Sequence, residues 1–460
     1  MSDLDRVLAH IDADLDAALE RLFVTLRLKS ISTDPAYAAE SRACAEWHAA
    51  DLREIGFDAA VRDTAGHPMV VGHDRTPSGP SVLFYGHYDV QPVDPLELWD
   101  RDPFDPAIIT RPDGSKMLVG RGTADDKGQL MTFIEACRAW KAATGKLPIP
   151  VSILLEGEEE SGGASLPPFL DANLEELRAD IALICDTNMW DAQTPAITTS
   201  LRGLCGEEII IRAADRDLHS GFYGSAAANP NHVLARILAD LHDDQGRVTL
   251  AGFYDGVPEL PDALRESWDR LGFDAAAFLG EVGLSVPAGE KGRSVLEQTW
   301  SRPTAEVNGM GGGYQGAGFK TVIPAEAHAK VSFRLVFDQD PHAVRAAFRA
   351  HVRARLPADC TAEFIEHGSG TAVAFDTSGP VFQKAQAALS DEWGQQAAFI
   401  GGGGSIPVTT LLKQKLGVDV VMVGFGLADD RIHSPNEKYE LTSFHKGIRS
   451  WARILAALAG

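Results

Sequence analysis

No Cys-x-x-Cys pair occurs in this chain, and its five cysteines (Cys44, Cys137, Cys185, Cys205, Cys360) are scattered and odd in number. That excludes a disulfide framework and a clustered thiolate metal site, and it fits a reducing compartment. No apolar run approaches the ~20 residues needed to cross a bilayer. The opening residues Ser2-Asp-Leu-Asp5 lack the basic stretch and apolar core of a secretory leader, so the expected location is cytoplasmic, with no membrane partner. Basic residues are outnumbered: 42 Lys and Arg stand against 65 Asp and Glu, a formal net charge of -23. Such a surface argues against nucleic acid and anionic lipid as partners, and it suits an enzyme that holds cations between carboxylates. Internal repeats and low-complexity tracts are absent too.

What is present is enough chain, 460 residues with 45% hydrophobic side chains, for two folding units with ample cores. Leu4, Val7, Leu8, Ile11, Leu15, Leu19 and Leu22 recur at helical spacing, giving an amphipathic helix that caps the core and carries no chemistry. A second helix covers roughly residues 37–55 and stops before Gly56. The stretch Ser81-Val-Leu-Phe-Tyr-Gly-His-Tyr-Asp-Val90 then runs four bulky apolar residues into a polar end, as a parallel strand covered on both faces would. Similar strands are expected at 150–155, 181–185 and 418–423, each running into acids or toward a histidine. In an α/β sheet, sites form beyond the carboxyl ends of the strands.

The middle of the chain has another rhythm. Strands are expected at 207–212, 300–307, 326–337 and 361–366, and helices at 230–242 and 341–355. That pattern is a small α+β unit with an antiparallel sheet, ferredoxin-like in outline, inserted into the larger domain. The expected domains are therefore 1–198 and 377–460 for the larger unit and 199–376 for the insertion. Residues 254–293 have no place in this pattern.

His87, Asp125, Glu159, Asp186 and His433 each follow an expected strand or turn. Two imidazoles and three carboxylates suit a borderline divalent ion: zinc first, manganese or cobalt as alternatives. Five ligands exceed what one catalytic zinc takes. If Asp125 bridges, two ions receive three each: His87, Asp125 and Asp186 for one, and Asp125, Glu159 and His433 for the other. A pair of metals ~3.5 to 4 Å apart would hold a shared water and lower its pKa. Glu158 is the adjacent carboxylate and the expected general base, because successive strand residues point to opposite sides. Asp89, two residues after His87, suits the acid that holds the second ring nitrogen of a ligating imidazole.

Two glycine patterns lead elsewhere and are set aside. Gly311-Gly-Gly-Tyr-Gln-Gly316 follows no parallel strand that opens a helix. In Gly401-Gly-Gly-Gly-Ser-Ile-Pro407, proline stands where a nucleophile elbow needs glycine.

The strings Gly86-His-Tyr-Asp-Val90, Gly120-Arg-Gly-Thr-Ala-Asp-Asp-Lys-Gly128, Glu156-Gly-Glu-Glu-Glu-Ser-Gly162 and His433-Ser-Pro-Asn-Glu437 resemble the co-catalytic dizinc peptidases. That family includes glutamate carboxypeptidase, aminoacylase, succinyl-diaminopimelate desuccinylase and the dipeptidases. The resemblance implies an α/β fold: an aminopeptidase-like catalytic domain with a mixed, mostly parallel sheet, plus an inserted lid domain that dimerises. It also implies the five ligands above, Asp89 orienting His87, Glu158 as base and a cis peptide between Asp125 and Asp126. Leu218-His-Ser-Gly-Phe-Tyr-Gly224, Lys320-Thr-Val-Ile-Pro324, Ser332-Phe-Arg-Leu335 and Gly404-Ser-Ile-Pro407 are similar to motifs of the cytosolic non-specific dipeptidase and carnosinase branch. By that similarity His219 steadies the oxyanion in the other subunit's site of a homodimer. Arg334, helped by Thr321 and Ser405, clamps the substrate's terminal carboxylate. One departure stands out: many members of the branch continue Arg-Leu-Val-Pro, whereas this chain has Arg334-Leu-Val-Phe337.

The expected function is hydrolysis of the amide bond of dipeptides or similarly small peptides by a metal-bridging hydroxide. An N-acyl amino acid deacylase or carboxypeptidase would use the same chemistry. A homologue that binds metal without catalysis is the rival of another class.

Overall fold

The computed structural model describes residues 1–404 and 406–460. The chain divides into two compact units. Met1–Thr199, Phe375–Ile400 and Leu411–Gly460 form the first, and Ser200–Ala374 with Gly401–Thr410 form the second.

In the first unit, four neighbouring strands run parallel in the order Val151–Glu156, Val82–His87, Ile181–Ile184, Asp419–Met422. Met69–Asp74 and then Asp58–Arg62 extend the sheet antiparallel beyond Val151–Glu156. The first three parallel strands are buried along their whole length, as continuous Val, Ile, Leu and Phe runs require of a sheet covered on both faces. One cover is a layer of three helices, Asp3–Leu26, Lys127–Thr144 and Leu441–Ala459, packed on one another. Phe133 of the middle helix stacks on Phe84 of the sheet with ring centroids 3.9 Å apart, and Trp451 of the last helix meets both rings edge-on. The first helix opens with a capping box between Ser2 and Asp5 and buries its leucine stripe. All five cysteines are free and buried, and among the described residues no helix is long and apolar enough to cross a membrane.

The second unit carries a four-stranded antiparallel sheet in the order Thr304–Gly312, Glu326–Leu335, Gly203–Arg212, Thr361–Gly370. With helices Pro230–Ala239 and Pro341–Arg353 this is the ferredoxin-like order expected. Gly203–Arg212 alternates buried and half-buried residues, so Cys205, Ile209 and Ile211 face the core. Two boundaries differ from expectation. Trp300 ends a short helix, Val295–Trp300, so its strand starts only at Thr304. The strand from Glu326 stops at Leu335, and Phe337 takes a φ of 50°. Proline cannot adopt that conformation, which matches its replacement in this chain. Residues 254–293 contain two short helices, Asp262–Asp269 and Ala275–Gly280.

Candidate metal centre

The candidate ligands gather where the parallel strands of the first unit end. His87 closes the strand Val82–His87, and its backbone N–H donates to Asp126 Oδ2 at 3.1 Å. Asp186 stands two residues past Ile184, and His433 lies in the turn after Asp419–Met422 at a φ of 59°. Asp125 comes just before the helix Lys127–Thr144, and the Asp125–Asp126 peptide is cis.

Asp125 is the centre of the arrangement. Its Oδ1 lies 3.2 Å from His87 Nε2 and its Oδ2 lies 2.9 Å from His433 Nε2. Two groups result, His87 with Asp125 and Asp186, and Asp125 with Glu160 and His433; in each, one ligand atom per residue lies within 4.8 Å of the others. The other ring nitrogen of His87 lies 3.2 Å from the Asp89 carbonyl oxygen and 3.3 Å from Asp89 Oδ1. Asp89 Oδ2 accepts the Glu160 N–H at 3.0 Å, so this one buried acid fixes a member of each group.

The electrostatics suit cations. Burial pushes the Asp186 carboxyl well up, opposed by His87 and reinforced by the carboxylates of Asp125, Glu159 and Glu160. Burial also raises Glu159. Hydrogen bonds to Asp125 and then Glu160 hold the His433 imidazole up at about 10. Burial alone would lower His87, but Asp125 and Asp89 hold it well above the usual imidazole value. Among the described residues, one buried oxygen each of Asp89, Asp126 and Glu160 also finds no hydrogen-bond partner. Burial alone would raise the Asp125 carboxyl, but hydrogen bonds from His433 and His87 hold it below its usual range. A carboxylate kept ionised between two imidazoles, beside the buried Asp186, fits two borderline divalent cations.

The acidic run differs from expectation by one residue. Glu158 is in neither ligand group and is engaged by backbone amides: its Oε1 accepts the His67 N–H and its Oε2 the Ser165 N–H, each at 3.0 Å. Glu159 belongs to neither ligand group. Glu160 takes the place expected of Glu159, with Oε2 at 3.2 Å from His433 Nε2 and 2.7 Å from Gln91 Nε2. The reason is local. Strand geometry ends at Glu156 and a 3-10 turn follows from Glu159 to Ser161, so the two-residue alternation used to sort these acids no longer applies. Gln91 was missed as well, since a lone glutamine after a loop carries no sequence signal.

In the second unit, Leu218–His219 pairs antiparallel with Val322–Ile323, and the Ser220 N–H donates to the Thr321 carbonyl at 3.1 Å. His219 and Thr321 therefore share one ribbon. The exposed His219 accepts the Gly221 N–H on Nδ1 at 2.9 Å. Arg334 is half-buried on the strand face opposite the core residues Phe333 and Leu335. Arg202, not singled out from sequence, donates from Nε to the Gly403 carbonyl at 3.0 Å. Burial, and then repulsion from Arg334, lower its guanidinium to about 10. Ser405 lies outside the described residues.

The model of peptidase family M20/M25/M40 matches residues 83–457. The Cys-Gly metallodipeptidase dug1 of Schizosaccharomyces pombe is 29% identical over 480 residues, 99% of this chain and 98% of that protein. The human Beta-Ala-His dipeptidase is 25% identical over 476 residues, 99% of this chain and 93% of that protein. Among solved structures, an M20 family metallo-carboxypeptidase from Sulfolobus solfataricus superimposes with a TM-score of 0.80 at 29% identity, over 96% of this chain and 99% of that one.

Proposed function

Because this chain belongs to peptidase family M20/M25/M40, we propose that it hydrolyses dipeptides at two divalent cations. His87, Asp125 and Asp186 would hold one, and Asp125, Glu160 and His433 the other. The observation that carries this reading is the Asp125 carboxylate, whose two oxygens face two imidazoles from opposite ends of the chain at 3.2 and 2.9 Å. Bound there, the cations would polarise the scissile carbonyl and acidify a water. Zinc suits the mixed nitrogen and oxygen donors, with manganese or cobalt as alternatives.

The protein's own residues do the rest. Glu159 replaces Glu158 as the general base. It borders the ligand groups without joining them, and its burial-raised pKa suits a carboxylate that takes the attacking water's proton and returns it to the leaving amine. On His219, the bond accepted at Nδ1 leaves the neutral ring's proton on Nε2, a donor for the tetrahedral oxyanion. In this proposal His219 serves the site of a second copy in a homodimer. Arg334 forks onto the substrate's terminal carboxylate, helped by Thr321, and Ser405, outside the described residues, keeps its expected role on sequence similarity alone. A cytoplasmic location is supported by the five free, buried thiols.

The test is turnover by the chelator-stripped, zinc- or manganese-reloaded protein on Cys-Gly, β-Ala-His and N-acetyl amino acids, side by side. Faster release from the dipeptides is the expected result. Preference for the N-acetylated compounds would replace the dipeptidase reading with the carboxypeptidase-like one, which the Sulfolobus solfataricus structure favours. No turnover of any of them by protein that has bound two cations would sink both.

A further inference from the structure

Glu437 touches no member of the proposed ligand set through its side chain except at one backbone amide, yet its surroundings resemble those of a keystone. It is fully buried. Oε1 accepts the N–H groups of Ala124 at 2.9 Å and Asp125 at 3.1 Å. Oε2 accepts the Gly122 N–H at 2.9 Å and Arg121 Nη1 at 2.7 Å. The Glu437 carbonyl takes a fifth donor, the Gly120 N–H, at 3.1 Å. One residue thus gathers donors from five residues of the segment that presents Asp125. Four residues before it on the same loop stands His433, which meets Asp125 Oδ2 at 2.9 Å. Arg121 is buried as well, stacked over Trp99 and donating to the Pro92 carbonyl, so the carboxylate is anchored to a rigid wall.

We propose that Glu437 is the positioning residue that fixes Asp125 against His433 and thereby builds the second cation position. The inference rests on the two-cation reading above. A carboxylate with four donors aimed at it has no spare freedom. The backbone of Asp125 is held from the same loop that delivers the imidazole it must face. Such supports commonly govern metal affinity by about 10- to 100-fold.

The experiment uses the full chain, stripped with chelator and titrated calorimetrically with zinc or manganese, beside thermal melts of the stripped and loaded forms. Glu437→Gln turns one oxygen into an NH2 that confronts two of the four donors. Glu437→Asp keeps the charge but withdraws it by one methylene. The wild-type chain is expected to take up two cations. Glu437→Gln should bind the second about 10- to 100-fold more weakly, and the first, which depends on this loop through Asp125 alone and not through His433, with a smaller loss. Its kcat on a dipeptide should fall at fixed cation while KM stays within about twofold, and Glu437→Asp should fall in between. Folded Glu437→Gln that binds both cations as tightly as wild type overturns the proposal, even if its stripped form melts earlier. So does failure of both variants to fold, which would make Glu437 a folding determinant only. A wild-type chain that binds fewer than two cations would show instead that the two-cation reading is wrong, and the proposal would fall with it.

Discussion

Glu158 accepts the backbone N–H of His67 at 3.0 Å, joining segments 91 residues apart in the chain. Its other oxygen is held by the Ser165 amide, so both are committed to backbone groups. Glu158 is therefore a brace between loops. Replacing it with alanine leaves two N–H groups without their acceptor and should destabilise the fold by roughly 1–3 kcal/mol. Its kcat should change little. Glu159→Gln should do the reverse, keeping the melting temperature and lowering kcat by about 10²- to 10⁴-fold. Denaturation and steady-state kinetics on the two variants decide between them; a Glu158→Ala protein that folds but has lost that much kcat would restore Glu158 as the base.

The contrast shows which parts of the site were legible in the sequence. The strands ending at His87, Glu156 and Ile184 announce themselves as short apolar runs broken only by Ser152, because a strand covered on both faces leaves little room for polar residues. Acids and imidazoles stranded at such ends had to be accounted for. Glu158, Glu159 and Glu160 are chemically alike and adjacent, and only the backbone of the 3-10 turn sorts them, so a two-residue period has nothing to distinguish them by. The inserted sheet was legible through its alternation. The helices at Asp262–Asp269 and Ala275–Gly280 were not, since each is too short to show a period.

Asp125 and Glu160 should differ in how much metal they forfeit. Asp125 belongs to both ligand groups and Glu160 to one. Asp125→Asn should lower cation content from about two per chain towards none, and Glu160→Gln towards one. Metal analysis after gel filtration reads this directly. Because cations bind the folded chain, chelator should also lower the melting temperature of the wild type, and that of Asp125→Asn hardly at all. Equal metal loss in the two variants would argue against a bridging Asp125.

His48 gives the fold a sensitivity to acid apart from the metal centre. It is buried, with Nε2 at 3.1 Å from Thr25 Oγ1 and Nδ1 without a hydrogen-bond partner among the described residues. Burial, and then the charge of Lys127, lower its pKa from 6.5 to about 3. Between those values the unfolded chain takes up a proton that the folded chain refuses. Stability from this residue is thus fully present above pH 6.5 and is lost as pH falls towards 3, by at most roughly 1.4 kcal/mol per pH unit. Chemical denaturation of wild type and His48→Gln at several pH values should show a shallower acid slope in the variant. Parallel slopes would mean that His48 titrates normally in the folded chain.

Arg202 and Arg334 repel each other, and the strain of that pairing points to what should lie beside them. Arg202 is lowered to about 10 by burial and by Arg334, and Glu306 counters it. A buried guanidinium that feels the charge of a second one is stabilised by an anion, and a peptide's terminal carboxylate is such an anion. Lysine at position 334 would keep the charge but lose the planar fork. Charge-assisted hydrogen bonds of this kind contribute roughly 1.5–3 kcal/mol, so Arg334→Lys should raise KM for a dipeptide by about 10- to 150-fold. For the same dipeptide capped as a C-terminal amide, which offers no carboxylate to the fork, KM should already be high in the wild type and should barely move in the variant. Kinetics on the matched pair of substrates separate recognition of the carboxylate from general damage to the second unit, because damage would raise KM for both. An equal rise for acid and amide would therefore remove Arg334 from the substrate clamp.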